Sequence, residues 1–252
     1  MPIGWQLILR RVDDAVLAPT VQARRAFSAC VTRLALGLPL VAFHAPDGHA
    51  HLALLGDRAL AGQLARALAI GLGRILDHAG HLEPVRLRPV HDQSHARNLF
   101  RYTLDQRRHH GLALDPFHEA SALPDLLDLR VSGRWMRAVV AQHLPRVRRD
   151  LLVQLLGVEP RELQGAELRH LADAAAAAIA LPELRGRASQ VVAARAAAVQ
   201  LARAAFRSPA VAEALDLALR TVQRLGRVDD LPPELVAAVD GQWRLRSWVG
   251  QR

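Results

Sequence analysis

Residues 39–55 read Pro-Leu-Val-Ala-Phe-His-Ala-Pro-Asp-Gly-His-Ala-His-Leu-Ala-Leu-Leu, and this stretch decides the fold. Two apolar runs, 39–44 and 49–55, flank Ala45-Pro46-Asp47-Gly48. Pro-Asp-Gly is turn chemistry: proline presets φ, aspartate bonds back to the chain and glycine accepts a positive φ. The stretch reads as a β-hairpin. Side chains alternate along a strand, so His49 and His51 project from one face together with Ala53 and Leu55.

The flanking elements follow from periodicity. Residues 4–10 read as a strand, and residues 20–36 carry Val21, Phe27, Val31 and Leu34 at helical spacing, with Gly37 as the stop. Helix returns over 59–78, strand over 85–90 and helix over 94–110, closed by Gly111 as a C-cap. The order β-α-β-β-α-β-α predicts an α+β domain, a ferredoxin-like four-stranded antiparallel sheet with helices on one face. Past Asp115-Pro116 strand signals end, and Pro145, Pro160, Pro182, Pro209 and Pro232-Pro233 separate short helices. Expected boundaries are a first domain over 1–118, a linker and helical extension over 119–150 with the basic run Arg146-Val-Arg-Arg149, and an all-α domain over 151–252.

The composition bounds the function. The 252 residues carry 33 basic side chains, all arginine, against 24 acidic ones, a formal net charge of +9. With 51% hydrophobic and 23% charged residues the chain is globular rather than disordered. Arginine pairs bidentately with phosphate, so the excess points to a polyanion, although the lack of lysine and alanine runs such as 174–178 also fit a GC-rich coding bias. Only 4% of residues are aromatic and Tyr102 is the one tyrosine, an inventory from which base-stacking platforms of several rings are hard to assemble. The single cysteine, Cys30, lies in an apolar stretch and suits a reducing compartment. The most apolar segment, 34–45, is shorter than the ~20 residues a membrane-spanning helix needs. Arg10 and Arg11 follow the first apolar run instead of preceding it as in a signal peptide, so a soluble cytoplasmic protein with no membrane partner is expected.

Chemistry concentrates in the first half, where ten of the twelve histidines lie at or before His118. Two imidazoles on one strand face offer a divalent ion two ligands, although an isolated His-x-His beside a turn is more often a pair of ordinary surface histidines. On the 94–110 helix, His95, Asn98, Tyr102, Gln106 and His109 form one polar stripe, opposite Ala96, Phe100, Thr103 and Leu104. Tyr102 and Gln106 are one turn apart. A phenol beside a divalent ion can attack a phosphodiester, with Gln106 as a third, neutral oxygen ligand. His109 and His110 read as helix-end cations that are structural or touch phosphate, and His44 as a residue behind the His pair.

The His-Ala-His strand, the downstream Tyr-x-x-x-Gln helix and the surrounding element order resemble the single-tyrosine HUH transposases, in particular the REP-associated tyrosine transposases. Glu83-Pro-Val-Arg-Leu-Arg-Pro-Val-His-Asp92, Leu99-Phe-Arg-Tyr102, Arg107-Arg-His-His-Gly111 and Asp115-Pro116-Phe117 extend the resemblance, which covers about residues 3–130. It implies that Tyr102 cleaves single-stranded DNA to a 5′-phosphotyrosine and a free 3′-hydroxyl. His49, His51 and Gln106 would hold Mg²⁺ or Mn²⁺, and imperfect hairpins would be the substrates. Monomer and homodimer are both open.

In the second half, residues 191–205 read as a helix with Arg195 on it, followed by short helices over 209–215 and 219–225 joined by the turn 216–218. That is helix-turn-helix spacing. It resembles the DNA-binding domain of the bacterial chromosomal replication initiator, with Ala218-Leu219 where that domain carries Asp-His. The resemblance implies duplex DNA as a partner, with Arg195, Arg220, Thr221 and Arg224 as contacts. An alanine-rich bundle with outward arginines fits the same pattern, and the alternative function is a catalytically silent DNA-binding protein or regulator descended from a transposase.

Overall fold

The computed structural model describes residues 1–76, 81–112, 117, 119–164 and 166–249. The calls on His78, Asp115-Pro116 and His118 therefore lie outside the described residues. The chain is α+β and divides into two compact units, residues 1–127 with 132–157, and residues 128–131 with 158–252.

The first unit holds strands β1 (Gly4–Arg10), β2 (Leu40–His44), β3 (His49–Leu55) and β4 (Arg86–Val90) and helices α1 (Val21–Leu34), α2 (Arg58–Ile75), α3 (Gln93–Leu104), α4 (Gln106–His109), α5 (Leu123–Leu126), α6 (Trp135–His143) and α7 (Arg149–Leu156). The sheet is antiparallel throughout, in the order β2-β3-β1-β4. Both crossover helices and α3 start at a side-chain cap, in which Thr20, Asp57 and Asp92 accept from the amides of Ala23, Leu60 and His95.

Register sorts the strand residues between two faces. Leu7, Leu52 and Phe43 stand abreast on one of them, where Phe27 of α1 meets Phe43 at a ring separation of 6.1 Å. There α1 and α2 pack so closely that a Cβ on Gly71 would stand 3.0 Å from Cys30 Sγ, and Phe27, Phe43 and Leu68 are fully buried. Burying each such side chain contributes roughly 1.5–3 kcal/mol.

His44, His51 and Ile8 stand abreast on the opposite face. The expectation of helices on one face alone is corrected here, because α3 packs on this second face, against β2 and β3. The cause is the α3 stripe Ala96, Leu99, Phe100, Thr103 and Leu104, whose burial needs a surface that α1 and α2 do not occupy. Helix α3 packs chiefly on β2 and β3, and Ile8, Arg10, Arg86 and Arg88 line an open cleft beside it. The edge of β2 is covered by residues 120–122, where Ala45 N–H bonds Ala120 O and Ala122 N–H bonds Phe43 O.

The second unit contains α8 (Leu171–Ala178), α9 (Ser189–Arg203), α10 (Ser208–Ala214), α11 (Leu219–Leu225) and α12 (Pro233–Val249). Its core is built largely from alanine: Ala174, Ala175, Ala178, Ala194, Ala196 to Ala198 and Ala202 are buried around Leu171, Val199 and Trp243. Side chains this small let α8, α9 and α12 approach closely. Two residues past the last residue of α8 stands Ala180 at φ 53°, and two past that of α10 stands Asp216 at φ 50°. In each case the next residue's N–H reaches five residues back, Leu181 to Ala176 and Leu217 to Ala212, closing a Schellman cap. No helix among the described residues is long and apolar enough to cross a membrane.

Candidate functional site

The second sheet face carries a cleft of about 560 Å³ whose lining includes His49, His51, Asp47, Tyr102 and His110. The hairpin supplies the first three. Asp47 lies in the turn, and its two carboxylate oxygens stand 2.7 Å from His49 Nδ1 and 2.7 Å from His110 Nδ1. Ligand atoms of Asp47, His49 and His110 all lie within 4.8 Å of one another, so this trio could hold a metal ion. The turn itself is clamped: Arg11 N–H bonds Gly48 O, Leu17 N–H bonds Asp47 O, and a Cβ on Gly48 would stand 2.7 Å from Asp14 O. Glycine is required there by the close approach of residues 14 and 15.

His51 is 5% exposed and neighbours the rings of His49 at 4.7 Å and Tyr102 at 5.6 Å. Gln6 Nε2 donates to its Nδ1 at 2.9 Å, while its Nε2 is buried without a partner. With Nδ1 accepting, the neutral ring carries its hydrogen on Nε2, and a buried N–H without a partner fits a site completed by a substrate oxygen. Burial pushes the His51 pKa down to about 3, helped by the neighbouring His49, His110 and His44. Burial also lowers the pKa of His49, against the pull of Asp47. Both rings therefore favour the neutral form in which imidazole ligates metals.

Tyr102 is 38% exposed at the mouth of the cleft, with His109 at a ring separation of 5.0 Å. The helix expected over 94–110 breaks at Asp105 into α3 and α4. At the break the Tyr102 carbonyl accepts from the side-chain Nε2 of Gln106 at 2.9 Å. In a continuous helix that carbonyl would take the Gln106 amide. Gln106 is fully buried, and its Oε1 lies 3.1 Å from His110 Nε2. Of the expected ligands, His49 belongs to the trio, the His51 ring lies 4.7 Å from that of His49, and Gln106 meets the trio through His110 Nε2. His44 is buried, its Nδ1 3.2 Å from the Thr103 carbonyl, and so ties β2 to α3.

Sequence reasoning missed Asp47, read only as turn chemistry, and His110, read as a helix-end cation. It also missed Arg10, Arg86 and Arg88, which line the same cleft. Alternation along 4–10 and 85–90 was the available signal, since it sets these arginines on one face each, but only the register shows that both faces adjoin the His pair.

In the second unit, Arg220, Thr221 and Arg224 lie on α11 and line a surface cleft with Gln223 and Arg227. Arg195 is placed differently. Its guanidinium donates to the carbonyls of Gly186 and Leu184, and its Nε is buried, so it secures the segment ahead of α9.

No family model matches the sequence, and no curated protein or solved structure is significantly similar to it.

Proposed function

We propose that the protein is a metal-dependent DNA strand-cleaving and rejoining enzyme of transposase type, with Tyr102 as its nucleophile. One observation carries this reading: the only tyrosine of the chain lies in the same cleft as the Asp47, His49, His110 trio and the arginines of β1 and β4. The β-α-β-β-α-β order with strand order β2-β3-β1-β4 supports a ferredoxin-like domain of the HUH kind.

Asp47, His49 and His110 would hold the ion, with the unpartnered His51 Nε2 beside them. One carboxylate and two imidazoles favour Mn²⁺ over the oxygen-preferring Mg²⁺. When bound, such an ion polarises a phosphoryl oxygen and offsets the charge gained in the transition state. Arg10, Arg86 and Arg88 bind the phosphodiester backbone along the open half of the sheet. Tyr102 Oη attacks phosphorus, its proton passing to solvent or to the neighbouring His109 imidazole; the O3′–P bond breaks, the departing 3′-oxygen takes up a proton from water, and a free 3′-hydroxyl is left with the 5′-phosphate on tyrosine. Attack by a 3′-hydroxyl on the phosphotyrosine reverses the step, so rejoining needs no ATP. The paired helices α10 and α11, with the capped turn at Asp216, support a helix-turn-helix that takes duplex DNA through Arg220, Thr221 and Arg224.

The test incubates the chain with labelled single-stranded DNA containing an imperfect hairpin, in Mn²⁺, and looks for a covalent adduct stable to denaturant. Wild type forms it and Tyr102→Phe does not. Hairpin binding without an adduct in any divalent ion overturns the enzyme reading in favour of a silent DNA-binding regulator.

A further inference from the structure

We infer that Gln106 is a positioning residue that fixes the ring of His110 for cation binding and is not itself a ligand. The inference rests on the metal-dependent reading above. The side-chain amide of Gln106 is oriented by its bond to the Tyr102 carbonyl, to which Nε2 donates at 2.9 Å. Its oxygen therefore faces the other way, 3.1 Å from His110 Nε2. A carbonyl oxygen only accepts, so His110 must carry a proton on Nε2. The remaining ring nitrogen, Nδ1, lies 2.7 Å from an Asp47 carboxylate oxygen, which also only accepts, so it donates a proton there until a cation takes that proton's place between the two.

Packing holds the arrangement. Gln106 is fully buried, so its amide does not swing, and the oxygen that could ligate an ion is committed to the imidazole. The same residue spans the break between α3 and α4, so the helix end that presents His110 and the backbone that presents Tyr102 are set by one side chain. This is how outer partners act at metal-binding histidines elsewhere: they select the tautomer and hold the ring.

The test titrates the full-length chain with Mn²⁺ at neutral pH, follows free Mn²⁺ by electron paramagnetic resonance, and records thermal unfolding of each variant. Gln106→Met should weaken Mn²⁺ binding by about 10–100-fold, the usual cost of losing such a partner. His110→Ala should lose at least as much. Because Gln106 acts only through His110, the double variant should bind within about twofold of His110→Ala alone. Gln106→Glu, which keeps an acceptor opposite His110 Nε2, should hold wild-type affinity within about threefold, and this variant decides the matter if Gln106→Met does not unfold cooperatively. Wild-type affinity in Gln106→Met overturns the inference, as does a Gln106→Glu that binds as weakly as His110→Ala. A double variant weaker than His110→Ala by the full Gln106→Met factor also overturns it, since that marks an independent ligand. If wild type itself binds no Mn²⁺, the metal-dependent reading fails first and this inference with it.

Discussion

Acidification should destabilise the first unit through His51. Its ring is buried against His49, Tyr102 and Gln6, and its folded pKa is lowered to about 3 against an ordinary value of 6.5. A depressed imidazole pKa means that the folded state binds fewer protons than the unfolded chain between these two values, so stability is complete above pH 6.5 and falls as pH drops toward 3. Each pH unit below 6.5 costs about 1.4 kcal/mol, so at pH 5 His51 alone removes about 2 kcal/mol. His49, also lowered by burial, acts in the same direction. Urea unfolding in EDTA at pH 7.5 and pH 5, in wild type and His51→Gln, measures the effect as a difference between two pH slopes, which cancels the other titrating groups. The pH-dependent loss should be about 2 kcal/mol smaller in His51→Gln. Equal slopes in the two proteins would refute the burial argument.

Other outcomes follow from particular contacts. Arg25 and Glu119 form an ion pair at 3.0 Å with both side chains buried, so Arg25→Met should cost about 3–5 kcal/mol in urea unfolding by removing the cation beside a buried carboxylate, and adding Glu119→Leu should recover most of it. Ala180 sits at φ 53° in a helix cap, so Ala180→Gly should stabilise the second unit by up to about 1 kcal/mol, read as a higher melting temperature. Arg88→Ala should weaken single-stranded DNA binding alike for all sequences and lower the salt slope by about 0.7, with no change in melting. Arg224→Ala should lower the duplex slope by about 0.9 and leave single-strand binding unchanged.

Much of the first unit was legible because its signals are local. Strands 4–10 and 49–55 were read with the bounds they have, since alternation and a Pro-Asp-Gly turn are written in consecutive residues. The same alternation placed His49 and His51 on one face. Other features depend on contacts distant in sequence. Residues 94–110 read as one helix because every position suits one; the break comes from Gln106 offering its side chain to a carbonyl that its own amide would otherwise reach. Asp47 suited a turn and was read as nothing more, for no local pattern says that its carboxylate meets His110, sixty-three residues on. Arg195 looked outward on helical periodicity, yet the carbonyls of Leu184 and Gly186 draw it in.

The clamped hairpin tip has a consequence for how this site can change over generations. Hairpin tips are ordinarily free to drift, yet here adjacent positions answer to different demands. Asp47 supplies charge to two imidazoles, while the backbone bonds that hold the turn run through its carbonyl and that of Gly48. Exchanging Asp47 for asparagine removes the charge yet keeps an oxygen for the His49 N–H that closes the turn; adding even a methyl group at 48 collides with the backbone of residues 14 and 15 and leaves the chemistry nowhere to stand. Charge and architecture are thus separately adjustable one residue apart, and a chain that exchanged this carboxylate for an amide would keep the shape of the cleft.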